Sequence, residues 1–502
     1  MYCSVTMPQK VSSEIPDRAD IVIAGGGPAG ATIARLLAGY GFDVVLLEKR
    51  RFPRHQIGES LTPRILPIFD FLGIRSSIER AGFLPIAGHT VCWGSPQPRL
   101  AYYSPDHRRY GFQVWRADFD TLLLSHARDH GVQVVDGQAV QGVRFQDGSC
   151  VTIRTSSQHT ITAAFFIDAT GHAGLLARQG LRQRDDLFCT LALTAYWHGT
   201  READGVDRGN TLIEAYADGM VWSLPLHTGL RNVTLLVDWR AGHSIRKNNL
   251  ARFYHAELGK IPYVSRLLEG AQVTIPPRAF DASLYTSAHF AHERFLLVGD
   301  AGLFIDPLSS EGVHKAMASA LTGAVVVNTL LQRPEMGSHA RDFYQQRQQQ
   351  TYASHYHQSV LYYQQERRWP DSHFWYQRSE ATKTRLVQSP PIVPVPRLSA
   401  TQTISYLQWS ATVSIKQKPT IEGTSIELRD VAITPQYPDG IRYLDQVCIP
   451  TLLRIITQNR AVGEIIPAYL SHPDGRHCPP EAVRQVLARL YQEGILVEAT
   501  VA

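Results

Sequence analysis

Three glycines and one acid have the spacing that holds a dinucleotide. Gly25, Gly27 and Gly30 fit G-x-G-x-x-G, and Glu48 ends the apolar run after them. In such a pattern the first glycine makes a tight turn. The second lets the backbone approach a pyrophosphate, and the third lets a helix pack close on a strand. An acid ending the next strand can take ribose hydroxyls. Pro28 and Ala29 lie inside the turn, and Lys49 follows the acid. Further candidates lie downstream. Arg116 opens an amphipathic stretch. Asp168 begins a small-residue turn, Asp168-Ala169-Thr170-Gly171. Gly299-Asp300 ends the buried-strand pattern FLLVGD. Pro307, Gly312 and Val313 mark a helix entry, whose free amides can bind an anion.

The elements that must position these residues are legible around them. Ile21, Val22 and Ile23 form the short apolar run of a buried parallel strand. Residues 31–39 predict a helix with Ile33, Leu36 and Leu37 inward, and 44–47 predict a second strand. Residues 116–131 predict an amphipathic helix ended by Gly131. Strand patterns at 89–93, 111–115, 188–198, 211–216, 221–225 and 233–239 predict a sheet inserted into the nucleotide-binding fold. A turn is expected at Asp147-Gly148. Residues 314–331 predict a buried helix, and 340–368 a long polar one. Residues 387–396, VQSPPIVPVP, predict a linker. The pattern beyond 440 predicts helix, helix, helix, strand, as in a small winged helix.

The expected fold class is α/β: a Rossmann-like nucleotide-binding domain with an inserted, mostly antiparallel substrate sheet, a helical region and a winged-helix-like module. The expected boundaries are 18–335 for the core, with insertions at about 85–115 and 185–290. A helical extension follows at 336–386, a linker or irregular region at 387–439, and the module at 440–502.

The chain has 502 residues, 44% hydrophobic and 19% charged, as expected of a large-cored globular protein. A net charge of +5 is too small for this length to argue for nucleic acid. None of the six cysteines forms a CxxC pair, which argues against a zinc site or a dithiol; no metal is expected. Reduced thiols fit a cytoplasmic location. Residues 1–19 have no apolar signal core and read as a leader. The longest apolar run, 316–331, is broken by Ser319, Thr322 and Asn328. It is shorter than the ~20 residues of a membrane span.

Together these motifs resemble the FAD-binding set of flavoprotein monooxygenases. Within them the chain is most similar to the flavin-dependent halogenases. The likeness rests on Phe52-Pro53-Arg54 with Ile57-Gly58-Glu59-Ser60, and on Gly299-Asp300-Ala301 with Phe304-Ile305-Asp306-Pro307-Leu308. Asp371-Ser372-His373-Phe374-Trp375 extends it. It covers about 18–380. Glu311-Gly312-Val313 gives a second likeness, to geranylgeranyl reductases. The resemblance implies FAD as cofactor, with Arg54 and Ser60 added to the binding residues. Arg116 would meet the pyrophosphate or the flavin edge, and Asp300 a ribitol hydroxyl. It also implies a separate flavin reductase as partner.

Three departures shape the expected chemistry. Ile86 stands where the halogenases carry the lysine that handles hypohalous acid, and no lysine occurs between Lys49 and Lys247. The W-x-W-x-I-P motif appears as 220–225, MVWSLP, without its first tryptophan. Glu311 stands in the halide loop, where a carboxylate ~4 Å from chloride would cost about 4 kcal/mol at an effective dielectric of 20. The expected reaction is therefore FAD-dependent hydroxylation of an electron-rich aromatic group, free or protein-, peptide- or carrier-bound. Glu311 is the first candidate base, with Glu59 and His89 competing, and His172, His227 and His314 are further histidines near the flavin or the inserted sheet. A halogenase with a displaced lysine, a flavin dehydrogenase or reductase, and a non-enzymatic flavin-binding maturation partner remain the alternatives.

Overall fold

The computed structural model describes residues 14–106, 108–146, 150–201, 209–242, 245, 249–380, 406–457 and 462–499. The expected turn at Asp147-Gly148, the proline-rich segment 387–396 and most of the leader lie outside them. The chain divides into two compact units, Met1–Val387 and Gln388–Ala502.

The first unit is built on a seven-stranded sheet. Arg18–Ala24 pairs in parallel with Val44–Glu48 on one side and Thr160–Asp168 on the other. Phe295–Leu297 pairs in parallel with the end of Thr160–Asp168. The fully buried run Ile21, Val22 and Ile23 reflects cover on both faces. The carboxyl ends of these strands carry Gly25, Glu48, Ala169 and Asp300 to one edge, where ligands bind in open α/β sheets.

Two helices close on that edge, Pro28–Gly39 and Gly312–Gln332. Their approach depends on small residues. A Cβ on Gly30 would lie 1.8 Å from the Gly25 carbonyl oxygen, and one on Gly323 would meet Leu296 and Ile33 at 2.8 and 3.1 Å. Gly25 itself has φ +107, the left-handed region that favours glycine.

The inserted sheet orders Gln272–Asp281, Thr190–His198, Arg231–Asp238, Gly219–Pro225, Thr211–Tyr216, Gly88–Cys92 and Arg99–Tyr102. All pairings are antiparallel except that of Thr211–Tyr216 with Gly88–Cys92. Side chains alternate between its faces. Leu193, Val221, Val233 and Leu235 pack in a core with Tyr254, Leu258 and Val264 of two helices, Leu250–Leu258 and Pro262–Leu267. Ala192, Trp222, Leu224, Asn232, Thr234 and Leu236 turn the other way, to the cavity described below. The helical region is Gly337–Tyr363 and His373–Ser379.

The second unit differs from expectation at 387–439. Its described part, 406–439, is not irregular. Leu407–Trp409 pairs with Leu496–Glu498, and Ser414–Glu422 forms a hairpin with Ser425–Ile433. Leu407 and Ala432 belong to the same core as Ile449, Leu452, Val483 and Leu490. The helices are Ile449–Ile456, Val462–Ser471 and Pro480–Gln492. The hairpin is hard to read because it is two-stranded and half-exposed. It also carries Pro419, which an edge strand tolerates. A cut at 440 would therefore divide a folded unit. A chain ending at 387 should stay soluble and bind FAD, whereas one ending at 439 should aggregate with its apolar strands uncovered. Size-exclusion chromatography and flavin content of both proteins check this.

Candidate functional site

A cavity of about 640 Å³ opens at the carboxyl edge of the nucleotide-binding sheet and runs to the inserted sheet. That is the size range of a small-molecule site. Gly25, Gly27, Pro28, Ala29, Glu48, Lys49, Arg54, Ser60, Arg116, Asp300, Pro307, Gly312 and Val313 line it, as does Glu59. Gly30, Asp168, Gly299, Glu311 and His89 are not among the lining residues.

The nucleotide end is built from backbone. A Cβ on Gly25 would lie 2.3 Å from the Ala169 carbonyl oxygen, so turn and neighbouring strand touch. A Cβ on Gly27 meets nothing nearer than an Arg54 guanidinium nitrogen at 3.4 Å. The start of Pro28–Gly39 thus faces open space beside a cation, the arrangement an anionic pyrophosphate needs. The Glu48 carboxylate accepts from the Gly26 and Arg50 amides at 2.9 and 3.0 Å. The start of Gly312–Gln332 is also open, since a Cβ on Gly312 would meet nothing within 4 Å. The Ser60 hydroxyl, the His172 Nε2 and the Trp222 indole nitrogen are buried without hydrogen-bond partners, and all three residues line the cavity. Buried polar groups without partners mark a place for a polar ligand. These features fit FAD.

Arg116 pairs within the protein. Its guanidinium makes a two-pronged pair with Asp120, at 2.9 and 3.0 Å, and donates to the Ile57 carbonyl at 2.5 Å. Arg54 reaches Asp120 at 3.3 Å and Glu48 at 3.7 Å. Asp168 holds its own turn, accepting from the Thr170 amide and hydroxyl and the Leu176 amide. Gly299 serves packing, because a Cβ there would come 2.9 Å from the Ala29 Cβ.

The three candidate bases part company. Glu59 is 4% exposed and lies in the cavity wall. Tyr196 donates to its Oε1, Asn232 approaches the same oxygen at 3.3 Å, and the Gly58 amide donates to Oε2 at 2.8 Å. Burial raises its pKa, and these bonds and Arg116 offset only part of the rise. Glu311 turns away from the cavity. It accepts from Thr62 at 2.6 Å, meets His314 at 2.9 Å and lies 3.8 Å from Arg64. Burial would raise its pKa, but His314, Thr62 and Arg64 together carry it below the ordinary value. His89 shares a hydrogen bond of 3.0 Å with Tyr103, and burial lowers its pKa to about 4. Of the other histidines, His172 lines the cavity and His227 lies 3.6 Å from Asp118.

Ile86, read in the sequence as standing where the halogenases carry their lysine, is 1% exposed and outside the cavity lining. Among the described lining residues the one lysine is Lys49, next to Glu48. Sequence reasoning missed Asp120, Tyr196, Asn232 and Lys315. Asp120 has a signal, its i,i+4 spacing from Arg116. Lys315 has one too, as a cation on the otherwise apolar side of a buried helix. Tyr196 and Asn232 come from different strands, and no spacing links them to Glu59.

The family model for tryptophan halogenases matches residues 20–90 and 95–390. The chain belongs to the tryptophan halogenase family. Tryptophan 2-halogenase of Chondromyces crocatus is 35% identical over 341 residues, 66% of this chain and 65% of that one, so the chain spans just under two thirds of that relative's length. Among solved structures, CmlS, a flavin-dependent halogenase, superposes with a TM-score of 0.75 at 25% identity, covering 97% of this chain and 98% of its own. The peptidyl tryptophan dihydroxylase QhpG shares the fold at a TM-score of 0.69 and 24% identity, covering 95% and 99%. The family is one of FAD-dependent oxidoreductases, and FAD is its cofactor. No described helix is long and apolar enough to cross a membrane.

Gly27→Val should leave the fold intact, since the space beside Gly27 is open in the protein alone, but fill the pyrophosphate position. The variant should purify folded by circular dichroism and without flavin absorbance. A folded variant with a full complement of FAD would place the cofactor elsewhere.

Proposed function

We propose that this protein is an FAD-dependent monooxygenase that hydroxylates an electron-rich aromatic group. The observation carrying the reading is the absence of a lysine among the described cavity-lining residues other than Lys49, with a buried isoleucine at the family's lysine position. An isoleucine side chain offers no donor to hold a hypohalous acid, whereas oxygen transfer needs none.

Bound FAD, once reduced, supplies the activation of dioxygen. The protein's part is positioning, water exclusion and proton handling. Ala192, Leu236, Phe280, Ala282 and Phe304 give the substrate end of the cavity apolar walls. The Trp222 indole N–H, buried and unpartnered, is a donor for a substrate acceptor. Glu59 is the acid–base group at this end. Its raised pKa brings it closer to the working range of a general base than an ordinary carboxylate. Its Oε1 or Oε2 would take the proton of a phenol or indole as the ring is attacked. Tyr196 and Asn232 keep the carboxyl in one rotamer. Glu311, already held by three partners and depressed in pKa, is a poorer base. A separate flavin reductase supplies reduced flavin. The substrate is free or attached to a protein, peptide or carrier, and the attached form gains support from the likeness in shape to a peptidyl tryptophan dihydroxylase across nearly the whole of both chains.

Halogenation is the second reading, favoured by the names of the relatives. It needs an amine in the cavity, which Lys49 would have to provide from beside Glu48.

The deciding reaction combines reduced flavin, an indole- or phenol-bearing substrate and labelled dioxygen, with and without chloride or bromide. Mass spectrometry should find one labelled oxygen in the product, independent of halide. A halogenated product that requires halide would instead establish the second reading. A product lacking two hydrogens and carrying no label would indicate a dehydrogenase.

A further inference from the structure

Lys315 lies on Gly312–Gln332 with its side chain 2% exposed. Its ammonium donates to Asp300 Oδ1 at 2.6 Å and to the Leu303 carbonyl at 2.6 Å. Both acceptors belong to the segment that follows the strand Phe295–Leu297. Asp300 lines the cavity with its side chain about a third exposed, whereas Lys315 stands behind it, outside the lining. A lysine is seldom this buried unless paired, and this one is tied to a segment in the cofactor site.

We infer that Lys315 is a positioning residue for the cofactor. It grips one oxygen of the Asp300 carboxylate, so that the other is presented to the FAD, and it offsets the charge of Asp300 beside the flavin. The bond to Leu303 fixes the segment at a second point, so Asp300 cannot swing without breaking a buried contact. The pair also engages the Lys315 amine, leaving it unavailable for chemistry on a substrate or a halide. This inference rests on FAD occupying the cavity and is indifferent to whether oxygen or halide is transferred.

The sign of two opposite changes tests it. Reduction adds negative charge to the flavin, so an uncompensated carboxylate nearby makes reduction harder. Lys315→Met should weaken FAD binding to the apoprotein by about tenfold and lower the midpoint potential. Lys315→Arg, which keeps the charge, should retain most of the potential. Asp300→Asn alone should raise the potential, and Asp300→Asn/Lys315→Met should return it to near the wild-type value, because neither charge remains. The double variant leaves no buried ion unpaired and serves if Lys315→Met does not fold. The fall in potential from Asp300→Asn to the double variant then reads the Lys315 charge alone. Unchanged affinity and potential in Lys315→Met, with only a lower melting temperature, would overturn the inference and leave Lys315 a core-filling residue. Equal potentials for Asp300→Asn and the double variant would overturn it too. Loss of FAD binding in every variant, Lys315→Arg included, would show that the amine is needed for the fold rather than for its charge.

Discussion

The site depends on one buried ion pair. Arg116 grips Asp120 with two hydrogen bonds and pins the Ile57 carbonyl with a third, while Arg54 shares Asp120 from the other side. The segment between Arg54 and Ser60 has no long helix or strand of its own to hold it. It is held because its first residue and its middle are tied to the start of Arg116–Asp129. Removing one partner from such a pair typically costs about 3–5 kcal/mol, because a charge is left buried alone. That segment carries both the cation beside Gly27 and the carboxyl of Glu59. The cofactor cradle and the proposed acid–base group therefore rest on the same clamp.

Once the clamp is in place, the inserted sheet completes the cavity by simple alternation. Odd-numbered residues such as Leu193, Val221 and Val233 go to the helix-covered core, while Ala192, Trp222 and Asn232 face the cofactor side. Tyr196 and Asn232 reach Glu59 from adjacent strands, Tyr196 opposite Asn232 in register. The contrast between the two glutamates follows from their partners. Glu59 accepts only from neutral donors, and desolvation outweighs them and the nearby Arg116. Glu311 is also buried, but a histidine, a hydroxyl and an arginine outweigh that cost.

Much of the nucleotide end was legible because it is local in sequence. A glycine turn, a helix and an acid within one βαβ unit leave a pattern that side-chain packing hardly modifies. Five strands of the inserted sheet were legible for a similar reason, and 211–216 matches its observed bounds, but its edge strands 99–102 and 272–281 were not read, and 111–113, expected in it, pairs instead with 60–61 and 84–86 in a separate sheet. The order among the candidate bases Glu311, Glu59 and His89 was not legible. Glu311, ranked first on the strength of its loop, is turned outward by Thr62, which lies 249 residues away in the chain. Asp168 and Gly299, expected as cofactor contacts, lie outside the cavity lining, the first holding its own turn and the second the helix packing. Those outcomes depend on long-range neighbours that no motif spacing encodes. The hairpin at 414–433 escaped notice because a two-stranded, half-exposed sheet has little apolar alternation.

Burial holds the Glu59 carboxyl above the ordinary carboxylate range, so it keeps its proton through that range and becomes the base of the proposed reaction only above its raised value. Because burial puts the folded-state pKa above that of the unfolded chain, the native state keeps this proton while the unfolded state releases it. Stability relative to a Glu59→Gln variant should therefore fall as pH rises from the ordinary carboxylate range through the raised value. The direct measurement is the infrared difference spectrum between wild-type protein and Glu59→Gln across that range. The raised value predicts a protonated-carboxyl band, absent from the variant, that persists above the pH at which exposed glutamates ionise. A Glu59 that appears only as carboxylate from the ordinary range upward would contradict it.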